Sequence, residues 1–221
     1  MFTFTCSAQT YEVGVWLGGA NYIGDIGRTN YVAPNTAAFG AIFKWNRSSR
    51  HSFRGTFMHS NIKASDLDAS DSRRQQRGLN FENTLTELSI GLEYTFWDFN
   101  MYSGRPQGTP YLYTGLTVFQ YKALFKPTRN NPGNEIIDYD SAISPAIPMV
   151  IGYKTTVGTH FVLGFEIGAR YTFTDDLDGS NPVKDLEGRF QFGNTNSQDW
   201  YVFSGVTLTY TFGRQPCYCN F

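Results

Sequence analysis

Apolar and polar residues alternate along most of this chain. In the stretch from Phe161 to Thr174, Phe161, Leu163, Phe165, Ile167, Ala169, Tyr171 and Phe173 share one face. Val162, Gly164, Glu166, Gly168, Arg170, Thr172 and Thr174 share the other. A side-chain period of two is the mark of a β-strand. Eight such segments are predicted: 11–19, 37–46, 52–62, 85–96, 111–124, 146–155, 161–174 and 200–212. Most reach the roughly 9–11 residues that a tilted membrane strand needs, against an average of about 5–6 in globular sheets. In the clearest of them, such as 85–96 and 161–174, the glycines and charges lie opposite the large apolar side chains, whereas both faces of 111–124 are mixed. That fits a wall with lipid outside and a polar interior.

The connections sort by length. Residues 47–50 and 156–160 are short turns, and 97–109 is intermediate. Residues 20–36, 63–84, 125–145 and 175–199 are long and rich in Asn, Asp, Gly and Pro. With both termini on one side, every short turn falls on that side and every long loop opposite, as in outer-membrane barrels. The predicted fold is therefore all-β, an eight-stranded antiparallel transmembrane β-barrel with a filled lumen. It occupies residues 10–213, between residues 1–9 and a tail at 214–221. Trp45, Trp97, Trp200, Tyr94, Phe96, Tyr171, Phe173 and Tyr210 cluster near strand ends, where aromatic girdles mark the membrane interfaces.

Composition narrows the function class. Charged residues are 17% of the 221, below the roughly 25% of ordinary soluble domains. Aromatics are also 17%, and the net charge of −1 gives no electrostatic case for nucleic acid. No apolar run is long enough for a transmembrane helix. At the N-terminus, Cys6-Ser7-Ala8 before Gln9 reads either as the remnant of an export signal or as a short disordered tag.

Seven charged residues fall on inward faces: Glu12, Lys44, Arg54, Glu87, Glu93, Glu166 and Arg170. An eight-stranded lumen is just wide enough for side chains to fill, and buried charges there must pair. The expectation is a salt-bridge plug, with neither a pore nor an active site. No catalytic residues, metal ligands or cofactors are expected. His59 precedes Ser60, so the two side chains point to opposite faces, and no Gly-x-Ser-x-Gly motif occurs. His51 and His160 belong to short turns. The stretch from Asp175 to Asn181 lacks the ligand spacing of an EF-hand and reads as an Asx-type turn closing a strand. Arg73, Arg74 and Arg77 read as solvated loop surface, or as a contact for anionic lipopolysaccharide. Cys217 and Cys219 follow the last strand, in a tail that a barrel of this topology places in the oxidising periplasm. Two thiols one residue apart close only a strained ring, so three readings stay open: an intermolecular bridge, a labile local bridge, or no role.

Five stretches together resemble the PorG-like outer-membrane proteins of Bacteroidetes, which belong to the type IX secretion and gliding machinery. They are Glu12-Val13-Gly14 through Gly18 to Ile26, Leu79-Asn80-Phe81 through Glu87-Leu88-Ser89 to Phe96, Thr109-Pro110-Tyr111-Leu112 with Gly115 and Phe119, Ile147-Pro148 with Gly152 and Lys154, and Arg170 to Asp178. The fifth departs where Asp176 stands in place of an expected Tyr. The resemblance implies a non-enzymatic component that ties a periplasmic ring, built of a lipoprotein and its partner, to the outer membrane. Its expected partners are outer-membrane lipid and those ring proteins, through Cys217 and Cys219 as contact residues. No small-molecule substrate is implied. The alternatives are a barrel that binds or modifies lipid and an adhesin-like barrel acting through its long loops.

Overall fold

The computed structural model describes residues 10–101, 103, 105–125, 136–180, 192 and 198–213. Cys6, Cys217, Cys219 and the two end segments lie outside the described residues. Eight strands run β1 (Thr10–Ile23), β2 (Thr36–Asn46), β3 (His51–Ser65), β4 (Asn80–Thr95), β5 (Gly108–Phe125), β6 (Ile137–Val157), β7 (Phe161–Thr172) and β8 (Trp200–Gly213). Each pairs antiparallel with its neighbours in sequence, and β1 pairs with β8 to close the barrel. Thr10 lies beside both Asn46 and Gly213, so both ends of the barrel segment sit at the short-turn end.

The eight expected strands are all present, but several run longer. β6 begins at Ile137, deep in what the sequence marks as a long loop, and β4 begins at Asn80. These extensions carry polar residues on their outward faces, such as Lys63, Glu82 and Asp140, so the apolar alternation that marks a strand is missing there. A register shift between Ala123 and Leu124 lets β5 keep its pairing with β6. The loop between β3 and β4 also holds a 3-10 turn (Asp66–Asp68) and one short helix, α1 (Ser72–Arg77).

The outer surface is apolar where a water-soluble protein would be polar. Val15, Leu17, Phe39, Phe57, Leu88, Ile90, Leu116, Ile151 and Phe165 are all exposed. So large a contiguous apolar belt marks a lipid-facing surface. Aromatic pairs rim it at the short-turn end. Tyr11 lies between Phe43 and Phe212, with ring centroids 5.9 and 5.8 Å away, and Trp45 stacks on Phe53 at 5.3 Å. At the other end Tyr171 meets Trp200 at 5.1 Å.

Two glycines let the wall coil tightly. Gly91 and Gly115 are register partners on β4 and β5. A Cβ on Gly91 would stand 2.1 Å from the Thr114 carbonyl oxygen, and one on Gly115 2.1 Å from that of Ile90. Since backbone cannot step aside as a side chain can, Gly91→Ala is expected to cost about 1–3 kcal/mol. The check is the temperature at which the compact, heat-modifiable gel band is lost. Gly55→Ala serves as control, because a Cβ there meets nothing closer than 4.0 Å.

Candidate functional site

All seven charged residues expected in the lumen point inward and are buried. Period-two alternation puts them there: their outward neighbours in the strands are residues such as Leu92, Phe53 and Phe165. Sequence reasoning missed an eighth, Lys154, also buried. Glu93 on β4 gathers three cations. Lys44 on β2 donates to Oε1 at 3.0 Å and lies 2.8 Å from Oε2. Lys154 on β6 donates to Oε1 at 2.7 Å, and Arg54 on β3 stands 3.5 Å away.

Arg54 donates to Glu166 on β7 from both terminal guanidinium nitrogens, each at 2.8 Å. Tyr111 donates to the same carboxylate at 2.6 Å, and the ring of Tyr113 lies 4.7 Å from the guanidinium. A second group joins Arg170 to Glu87 at 2.9 Å, with Tyr201 donating to Glu87 at 2.8 Å. Glu12 is held by neutral donors, Asn46 at 2.8 Å and Thr209 at 2.7 Å. Tyr111, Tyr113 and Phe119, on a strand whose two faces are mixed in sequence, all face inward.

Among the described lumen residues three of the four carboxylates therefore meet the four cations, and each of those seven charges has a partner on a strand that is not its neighbour. The interior is filled by paired charges and buried tyrosines. His59 faces outward, bonded to Thr86 at 2.9 Å, while Ser60 points in and donates to backbone carbonyls. The pair that hydrolysis would need is not assembled there.

Both mouths are covered. At the short-turn end Phe99, between β4 and β5, is buried over the lumen, 4.8 Å from the Lys154 ammonium. Beside it Arg50 pairs with Asp98 at 2.7 Å, and this arginine, with Ser49, holds the Asp98 carboxyl below its usual range.

At the long-loop end the segment after β7 folds inward, and Leu177 is fully buried among Tyr22, Ile62 and Phe81. Asn83 on β4 ties it down, donating to the Leu177 carbonyl at 2.9 Å and the Lys122 carbonyl at 2.8 Å. The expected Asx turn is present, with the Ser180 N–H donating to the Asp178 carboxyl at 2.9 Å. The burial of this loop was not legible from its polar composition.

Its carboxyls are the electrostatic oddity of the molecule. Burial, then Asp178 and Asp25, raises Asp175 to about 7. Burial, then Asp178 and Asp175, raises Asp176 to about 8. Burial also lifts Asp178 and, with Asp178 and Asp175 beside it, Asp199.

Two arginines read as solvated surface are structural instead. Arg77 bonds buried Asp66 at 2.7 and 3.0 Å and the Asp25 carbonyl at 2.6 Å. Arg74 reaches the carbonyls of Gly24 and Gly27 at 3.1 and 2.8 Å. With Asp66 also accepting from the Gly27 N–H at 3.0 Å, these residues lock the first two long loops together.

A closed eight-stranded barrel, apolar outside and charge-filled within, is the architecture of small outer-membrane β-barrel proteins. The chain belongs to the family described as a domain of unknown function, DUF6089, whose model matches residues 1–221. Comparison with curated proteins gives no match. Among solved structures it is similar to Ail, the attachment invasion locus protein of Yersinia pestis, crystallised with the heparin analogue sucrose octasulfate. The identity is 9%, the TM-score 0.50, and the match covers 93% of this chain and 99% of that one. Neisserial surface protein A is 9% identical at a TM-score of 0.49, over 92% and 97% of the two chains. OprG of Pseudomonas aeruginosa is 9% identical at 0.45, over 94% and 98%. At these identities the likeness is one of fold.

Proposed function

We propose that this protein is a non-enzymatic outer-membrane anchor. In this reading both termini are periplasmic, and the chain tethers the lipoprotein-containing ring of a type IX secretion system to the outer membrane. The observation that carries the anchoring role is the lumen, whose ion pairs and covered mouths leave a rigid plug with no path for cargo. The five stretches that resemble the PorG-like proteins support the choice of secretion system. The short-turn end, with exposed Trp97 beside the Arg50–Asp98 pair, is the surface that faces the ring.

The test is affinity purification of the tagged chain from detergent-solubilised envelopes, run without and then with reductant. A reductant-sensitive band containing a ring lipoprotein is expected. The double variant Cys217→Ser, Cys219→Ser should lose that band while keeping a heat-modifiable barrel. A lone barrel that migrates identically under both conditions would overturn the reading.

A second reading, binding of an external ligand through the long loops, draws on one feature. A cleft of about 720 Å³ opens at that end, lined by Asn35, Lys63, Asp68, Glu82, Lys122 and Asp138. Charges of both signs line it, and Lys122 is already paired with Asp138 at 3.0 Å. The neighbouring fold crystallised with a polysulfated sugar makes sulfated glycans the first probe for this reading.

A further inference from the structure

The loop that covers the long-loop mouth is built around carboxyls that no cation among the described residues pairs with. Asp175, Asp176, Asp178 and Asp199 are each more than nine-tenths buried. Neither oxygen of Asp176 has a hydrogen-bond partner, and one oxygen each of Asp175 and Asp178 is also without one. The remaining contacts tie the loop shut. Asp199 accepts from the Leu177 N–H at 3.0 Å and from the Tyr22 hydroxyl, and Ser180 donates to the Asp175 carbonyl at 3.0 Å. Thr174 meets the Tyr121 hydroxyl at 3.1 Å.

Among the described residues, the charged and titratable groups facing this cluster are Tyr22 from β1, Asp25 from the loop after it, and Arg77 from α1. Arg77 is already committed to Asp66. Four ionised carboxylates in such surroundings would each be stripped of hydration and would repel one another. Among the described residues no three acidic, His or Cys side chains converge in metal-ligand geometry, so the charge is removed more directly by protons.

We propose that the loop from Phe173 to Ser180 is a proton-held seal of the barrel mouth. It stays closed while its aspartates carry protons and is released as they ionise. The direction follows from linkage. An aspartate in the released loop ionises near its ordinary value of about 4. In the closed loop Asp175 and Asp176 hold their protons to about 7 and about 8. The released state binds fewer protons throughout that window, so closure is strongest on the acid side and weakens as pH rises through it. For each proton involved, the opening equilibrium grows by about tenfold per pH unit.

Hydrogen exchange of the refolded barrel, read by mass spectrometry on the peptide spanning 174–180, tests this directly. The Leu177 and Ser180 amides are the reporters, since each donates to one of these carboxylates. Protection, taken relative to intrinsic exchange at each pH, is expected to fall at least tenfold per unit between pH 5 and 7. Strand peptides should hold constant, which also verifies folding. Asp176→Asn should reduce the slope, and adding Asp175→Asn should reduce it further and raise protection at every pH above 5. If Asp176→Asn does not fold, Asp175→Asn alone should still reduce the slope. Protection that is independent of pH would overturn the proposal. So would protection lost only with EDTA and restored by calcium, because the seal would then be held by a cation.

Discussion

Glu93→Gln is expected to lower the unfolding free energy of the barrel by about 3–5 kcal/mol, the range for breaking a buried ion pair from one side. The reason is the number of dependents. Lys44, Lys154 and Arg54 all lie within 3.5 Å of this one carboxylate, and only Arg54 has a second acid close by, Glu166. Neutralising Glu93 leaves two buried ammonium groups without a counter-charge. Adding Lys154→Met should recover part of the loss, since it restores equal numbers of acids and bases and puts an apolar side chain against Phe99. The measurement is urea unfolding of the refolded barrel in lipid vesicles, run on both single variants and the double. A double variant no better than Glu93→Gln alone would mean that charge balance does not hold the lumen.

The second large effect lies on the opposite face. Ile90 points outward in the middle of β4, 64% exposed, beside Leu88 and Leu92 and in register with Leu116 on β5. Ile90→Arg should cost about 2–4 kcal/mol, as a charge costs at the bilayer midplane of a barrel. In the same assay Ile90→Val should be nearly silent. An arginine tolerated there as well as valine would show that this surface does not face lipid.

The two variants mark what was legible in the sequence. Where the two faces of a strand differ chemically, as in Leu88 to Phe96, alternation told inside from outside residue by residue. Beyond the lipid that contrast vanishes. The outward residues of Asn80–Thr84 and of early β6 are as polar as a loop, so both strands looked shorter than they are. Lys154 was lost for a similar reason, lying in a polar run at the end of β6. A charge count would have found it. Four inward glutamates against Lys44, Arg54 and Arg170 leave one acid over, which points to a further inward cation, although the acid without a cation, Glu12, is met by neutral donors. The Asp66 clasp and the inward fold of the Asp175–Ser180 loop have no periodic signal. They depend on which loops the closed barrel brings together.

The cross-lumen pairing also has a consequence for how the chain reaches its membrane form. Arg54 and Glu166 are separated by 112 residues, Lys154 and Glu93 by 61, and Arg170 and Glu87 by 83. None of these partners sits on an adjacent strand, so a flat or half-curled sheet satisfies none of them. Until β1 meets β8, such a sheet would present its charges to hydrocarbon or to water without their counterparts. Intermediates with a gap in the wall are therefore penalised throughout, and the last seam and the interior network should form together. A chain built this way has no stable partly assembled state in the bilayer, and its insertion should be all-or-none.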